Sequence, residues 1–169
     1  MSSLTTRIAT EADIPLIQEL SRKIWNRHYP PIIGQAQVDY MLDLMYSSES
    51  LKRQMMDEGA VFLLGFSGSE AVGYLSYSEK SRGNYFLHKF YIDTEKHRIG
   101  LGTQFFQTMT FGFTEPKTVS LTVNRKNIKA INFYFKTGFV IESAQDFDIG
   151  NGYKMEDFVM IKHFLGQEK

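Results

Sequence analysis

A mixed α/β fold is predicted by three patterns. Apolar runs broken by short polar turns fill residues 60–92. Two later segments repeat their apolar residues at helical spacing. A pair of strand-like runs flanks Gly150-Asn151-Gly152. The chain has 169 residues, enough for one core, and 1–169 is expected to be a single domain. The 19 basic and 19 acidic side chains cancel, so no broad basic face and no nucleic-acid partner are expected. Cysteine is absent, which excludes disulfides, zinc–thiolate sites and cysteine nucleophiles, and no metal is expected. Met1 to Arg7 lacks the apolar core of a signal peptide, and no segment is long and apolar enough to span a membrane. A soluble cytoplasmic protein with no membrane partner is the expectation.

Taken in order, Arg7-Ile8-Ala9 reads as a short strand. Asp13 is placed to cap a helix with Pro15 in its first turn, and Ile14, Ile17, Leu20, Ile24 and Trp25 form the buried stripe. Pro30-Pro31 ends that helix. A second helix is predicted over Gln35–Tyr46, with Val38, Met41, Leu42 and Met45 inward and Tyr40 and Tyr46 to the side. Leu51–Asp57 makes a third. Ala60–Phe66 and Ala71–Ser78 read as a hairpin, and Tyr85–Ile92 as the next strand. Leu101, Phe105, Met109 and Phe113 recur every four residues with Phe106 beside them, an amphipathic helix. Val119–Val123 is a strand. Asn127–Lys136 is a helix with Ile128, Ile131 and Phe135 on one face, and Gly138 is its C′ residue. Phe139–Ile141 begins a strand, and Met155–Phe164 is the last.

The chemistry centres on the stretch from Phe90 to Thr103. A strand feeds a basic turn, then Gly100-Leu101-Gly102, then a helix. Glycines let backbone N–H groups approach an anion, and a helix N-terminus adds its positive end, so the loop suits a pyrophosphate. It is not a nucleotide P-loop, which needs Gly-Lys-Ser/Thr, nor a dinucleotide fingerprint, which needs glycine where Phe105 stands. Downstream, Asn127, Ala130 and Tyr134 fall at i, i+3 and i+7 of one helix. Asn pairs with an amide, Ala leaves room, and Tyr presents a hydroxyl.

On these residues the chain resembles the Gcn5-related N-acetyltransferases, the GNAT family. Its cofactor loop, Gln/Arg-x-x-Gly-x-Gly/Ala, reads here as His97-Arg98-Ile99-Gly100-Leu101-Gly102, with His97 replacing Gln/Arg. Its later signature, Asn-x-x-Ala-x-x-Phe/Leu-Tyr-x-x-x-Gly-Phe, is matched in full from Asn127 to Phe139. The resemblance implies a twisted mixed sheet of about seven strands, flanked by helices and splayed between strands 4 and 5. It implies acetyl-CoA, released as CoA. The pyrophosphate would meet the N–H groups of Arg98, Ile99, Gly100, Leu101, Gly102 and Thr103, with His97 beside them. The pantetheine arm would pair with the backbone of Phe90, Tyr91 and Ile92 like an added strand, and Asn127, Ala130 and Tyr134 would hold its far end. Among the basic residues near the phosphates (Lys96, Arg98, Arg125, Lys126, Lys129), Arg98 carries most weight.

The implied reaction is direct acyl transfer to a primary amine. A base removes the ammonium proton, the amine attacks the thioester, and backbone N–H groups near Tyr91-Ile92 stabilise the oxyanion. Tyr134 is the candidate acid for the leaving thiolate. His88, on the strand face of Phe90 and Ile92, is the candidate base, ahead of Glu79 and Glu142. The resemblance implies an acceptor site under the first two helices and the loop between the last two strands. Trp25, Tyr29 and Tyr40 are the candidate substrate-binding residues, with His28 and Tyr46 also available, against the simpler reading that Trp25 and Tyr40 are core. Asp146, Asp148, Glu156 and Asp157 around the last turn offer charge for a cationic amine, against the simpler reading of solvated turn residues. The acceptor is read as a small-molecule or peptide amine, with a loose similarity to bacterial polyamine acetyltransferases, and exposed strand edges allow a homodimer. Two alternatives stand beside the enzyme: a non-catalytic acyl-CoA-binding regulator, and a structural interaction domain built on the aromatic-rich helices.

Overall fold

The protein is described by a computed structural model covering residues 4–93, 95 and 100–165. Among the described residues seven strands form one mixed sheet in the order β1-β2-β3-β4-β5-β7-β6. They are β1 (Leu4–Ile8), β2 (Val61–Ser67), β3 (Glu70–Ser81), β4 (Asn84–Ile92), β5 (Thr118–Asn124), β6 (Val140–Gly150) and β7 (Tyr153–His163). The helices are α1 (Ile14–His28), α2 (Pro30–Ile33), α3 (Gln35–Tyr46), α4 (Ser48–Met56), α5 (Leu101–Phe111) and α6 (Ile128–Lys136). The predicted order of elements is the observed one. The chain packs as two compact units, Met1–Ser78 with Lys89–Gly112 and Glu79–His88 with Phe113–Lys169. Among the described residues no helix is long and apolar enough to cross a membrane.

In the first unit, alternation along β4 sends neighbours to opposite faces. Phe90 faces α5, its ring 5.8 Å from Phe105. Tyr91 faces the other way, toward Trp25 of α1 at 5.8 Å. The predicted α1 stripe is buried throughout. Its start differs from expectation. Asp13 precedes α1 but makes no side-chain cap bond to it. Its carboxylate instead pairs with Arg7 at 2.7 Å and accepts the Thr10 N–H at 2.8 Å, closing a 3-10 turn over Glu11–Asp13. The Arg7 bond leads in holding the Asp13 carboxyl down at about 2. Pro30-Pro31 ends α1 as predicted and also opens the single turn of α2, because proline lacks only an N–H that a first turn leaves unpaired. Tyr46 is buried rather than to the side, since the last turn of α3 runs in against Trp25 and Tyr74.

In the second unit, β5 pairs in parallel with β4 and antiparallel with β7. The β4–β5 ladder has three residue pairs, Asn84–Thr118 to Phe86–Ser120, although β4 continues to Ile92 and β5 to Asn124. This short ladder falls between the strands for which a splay was predicted. Tyr85 stacks on Phe113 at 3.8 Å, and its hydroxyl accepts the Thr114 N–H at 3.0 Å. α6 ends in a Schellman motif. The Phe139 N–H donates to Tyr134 O at 3.0 Å, the Gly138 N–H to Phe135 O at 3.1 Å, and Gly138 has φ 96°. The accompanying apolar contact is Phe139 against Tyr134, with rings 5.3 Å apart. β6 is longer than predicted because its polar residues Ser143, Gln145, Asp146 and Asp148 hide a strand that lies at the sheet edge.

Candidate active site

α5 begins at Gly100, whose φ of 88° turns the chain into the helix. The first helical bond runs from the Gln104 N–H to Gly100 O at 3.0 Å. The N–H groups of Leu101, Gly102 and Thr103 therefore precede the intrahelical ladder, and among the described residues no side-chain cap bond is made at Gly100. Leu101 and Gly102 are buried, while Gly100 and Thr103 are exposed. His97, Arg98, Ile99 and Lys96 lie outside the described residues. Phe90, Tyr91 and Ile92, each half-buried, close β4 on the approach to this helix.

The opposite face of β4 meets an aromatic cluster. Trp25 is 3% exposed and lies 4.5 Å from Tyr29, 5.6 Å from Tyr46 and 5.8 Å from Tyr91, ring to ring. Tyr74 joins it, 5.6 Å from Tyr91, with its hydroxyl 2.8 Å from that of Ser21. Burial pushes the Tyr46, Tyr74 and Tyr91 hydroxyls above the usual phenol range. The Trp25 indole nitrogen is buried and meets no hydrogen-bond acceptor in good geometry among the described residues. Of the predicted acceptor residues, Trp25 and Tyr29 are thus brought together, and Tyr40 is half-buried on α3.

Lys89, which the sequence reading passed over, shares the Tyr91 face of β4. Its ammonium donates to Gln54 Oε1 at 2.7 Å and sits over the Tyr46 ring at 5.3 Å and the Phe62 ring at 5.9 Å. Burial lowers its pKa to about 8, against the pull of Glu58. Asp93 was also passed over. It is 1% exposed and held by Lys23 and Arg27 of α1. Both signals lie in the strand alternation, which puts Lys89, Tyr91 and Asp93 on one face, opposite His88, Phe90 and Ile92.

In the second unit, Asn127 (5% exposed) and Tyr134 (8%) lie on the buried side of α6, with Ile131 buried and Ala130 half-buried. Asn127 Oδ1 accepts the Ala130 N–H at 3.3 Å and caps the helix. Ile128 and Phe135, expected with Ile131 on one face, are exposed instead. The helix is rolled so that the Asn127–Ile131–Tyr134 row packs inward. His88 is exposed, its ring 4.9 Å from Phe86. Glu79 accepts the Gly83 N–H at 2.7 Å and closes the β3–β4 turn.

The acidic residues near the last turn are mostly engaged. Arg125 pairs with Asp146 and lies 3.9 Å from Glu156, and Asp148 accepts the Gly150 N–H at 2.8 Å. Asp157, opposite Asn124 in the β5–β7 ladder, is buried. Burial raises its pKa to about 6, while Thr122 and Arg125 oppose the rise. A carboxyl whose folded pKa exceeds its unfolded one favours folding most at low pH and loses that contribution as pH rises through the folded value. Asp157→Asn should therefore flatten the fall in stability between pH 4 and pH 7, a difference on the order of 2 kcal/mol. Urea unfolding of both proteins at the two pH values checks this, and parallel wild-type and variant curves would reject it.

The sequence profile of the acetyltransferase (GNAT) domain matches residues 32–156. Uncharacterized N-acetyltransferases of Mycobacterium tuberculosis and Mycobacterium bovis are 25% identical over 138 residues, covering 80% of this chain and 88% of theirs. Among solved structures, the fold resembles the PaiA N-acetyltransferase of Thermoplasma acidophilum, crystallised with coenzyme A (TM-score 0.76, 22% identity, 96% of this chain and 99% of that one). It also resembles a GCN5-related N-acetyltransferase of Rhodopseudomonas palustris (TM-score 0.79, 15% identity, 97% and 98%), and Arabidopsis thaliana NAA60 bound to a bisubstrate analogue (TM-score 0.71, 14% identity, 96% and 100%). A domain profile spanning most of the chain, on a seven-stranded mixed sheet with a glycine-led helix after β4, has one reading: the chain belongs to the GNAT acetyltransferase family.

Proposed function

We propose that this protein transfers the acetyl group of acetyl-CoA to a primary amine by direct attack in a ternary complex. The observation that carries the proposal is the inward row of α6. The motif residues Asn127 and Tyr134 are both buried there, while the apolar Ile128 and Phe135 of the same helix are exposed. A helix packed only for hydrophobic burial would be rolled the other way.

In this reading the backbone N–H groups from Arg98 to Thr103 take the pyrophosphate, with His97 beside them. Phe90, Tyr91 and Ile92 pair with the pantetheine arm, and Asn127 and Ala130 hold its end. The ammonium loses its proton to His88, directly or through water. The neutral amine attacks the thioester carbon, the oxyanion is met by backbone N–H at Tyr91-Ile92, the C–S bond breaks as Tyr134 protonates the thiolate, and the extra proton that the attacking nitrogen still carries returns to the Tyr134 oxygen, leaving the neutral amide. Tyr29 and Tyr40 contact the acceptor, a small-molecule or peptide amine, and the buried Trp25 backs Tyr29 from the core. The protein acts in the cytoplasm as a single domain over 1–169, without nucleic acid, metal or membrane, and its outer strands β1 and β6 are open to a second copy. Offering acetyl-CoA with a panel of polyamines, amino acids, aminoglycosides and peptide N-termini should release free CoA with at least one class. Coenzyme A binding without release for any amine would favour the regulatory reading instead.

A further inference from the structure

Asp93 closes β4 in a setting that its burial makes costly. Lys23 Nζ donates to Oδ2 at 2.6 Å, Arg27 Nη1 to Oδ1 at 3.4 Å, and the Glu95 N–H to Oδ1 at 3.1 Å. Its own N–H donates to Val72 O of β3 at 2.8 Å. Glu95 binds the same two cations, Lys23 at 3.4 Å and Arg27 at 2.7 Å. Burial opposes the charged form of Asp93, but Lys23, the Glu95 N–H and Arg27 outweigh it and keep its carboxyl below the usual range. The same bond raises the Lys23 pKa. Lys23 and Arg27 stand one turn apart on α1, with Trp25 between them in sequence and its ring against Tyr91. One helix therefore holds both a ring on β4 and the two cations on the carboxylate that ends β4.

We propose that Asp93 is a positioning residue for the carrier. With Lys23 and Arg27 it clamps the end of β4 to α1, so the strand that takes the pantetheine arm and the helix that takes the acceptor move as one. This rests on the functional reading above. A buried carboxylate cannot be left without its cations, so any displacement of α1 carries the backbone of Tyr91 and Ile92 with it. The two binding events are then coupled, and the coupling acts equally in both directions.

The test is calorimetry with coenzyme A on the wild type, Asp93→Asn, a Lys23→Met/Arg27→Met double variant and the triple variant, well below their unfolding temperatures. Coenzyme A affinity should fall on the order of tenfold in Asp93→Asn and in the double variant. The triple variant should be no weaker than the worse of the two, because all three changes break one linkage. If Lys23 and Arg27 were direct phosphate ligands, releasing them from Asp93 would tighten binding, so tighter or unchanged binding in Asp93→Asn overturns the proposal. Asp13→Asn, which breaks the pair with Arg7 before α1, is the control. It should lower thermal stability and leave coenzyme A affinity alone; an equal loss there would reduce the Asp93 effect to general destabilisation and reject the clamp. Should Asp93→Asn fail to fold, Lys23→Met alone reads the same coupling through a partly exposed side chain. A wild type that binds no coenzyme A sinks the functional reading itself, whereas a binding wild type with an indifferent Asp93→Asn sinks only the clamp.

Discussion

Tyr134→Phe should lower kcat by about a hundredfold while coenzyme A affinity stays within about twofold of wild type. The change removes one oxygen and keeps the ring. The ring makes the apolar contact to Phe139 that accompanies the Schellman motif, and the main-chain bonds of that motif do not involve the hydroxyl. Helix termination and packing are thereby preserved, and a thermal transition within a few degrees of wild type confirms it. The size of the effect follows from the leaving group. Positioned proton transfer contributes about 10²–10⁴, and a thiol of pKa about 8.5 is itself a tolerable anion, so the lower end applies. Lost turnover with retained affinity is the signature of an interaction made in the transition state. Unchanged turnover would remove Tyr134 from the acid role and leave it as the packing partner of Phe139.

Gly73→Ala tests the other half of the chemistry. A Cβ on Gly73 would stand 2.4 Å from the Tyr91 carbonyl oxygen and 3.0 Å from Ile92 Cα. Both are backbone atoms of β4 and cannot rotate aside, so β3 and β4 must part. The Asp93 N–H bond to Val72 O lies at the neighbouring position and goes with them. Overpacking of this kind costs about 1–3 kcal/mol, which lowers the thermal midpoint by roughly 2–10 °C in a chain of this size. Turnover should fall further than stability accounts for, by about 10²-fold measured below the transition, because the displaced peptide is the one proposed to meet the oxyanion. Gly112→Ala is the comparison. That residue has φ −79°, and its Cβ would lie 3.3 Å from Met109 O, a contact that a small local shift relieves. It should leave both quantities near wild type. Equal behaviour of the two variants would show that the Gly73 contact bears on neither stability nor catalysis.

Much of this architecture is written locally. The glycine turn into α5, the proline stop after α1, the hairpin of β2 and β3 and the Gly138 cap of α6 each depend on residues within a few positions of one another. Backbone preference and periodicity act over that same range, so the order of elements and both family motifs were legible in the chain. What faced what was not. Ile128, Ile131 and Phe135 make a plausible buried stripe, yet α6 rolls so that Asn127 and Tyr134 go inward. Tyr46 enters the core for the sake of Trp25 and Tyr74, which lie far from it in sequence. Lys89 is tolerated inside because Gln54 and two rings receive it, and Asp93 because Lys23 and Arg27 reach it from α1. The sequence by itself determined which segments are helices and strands, their order, and the motif residues on them. Only the tertiary structure decided which polar side chains are buried, because the cost of burying a charge or hydroxyl is offset by partners that a one-dimensional pattern does not contain.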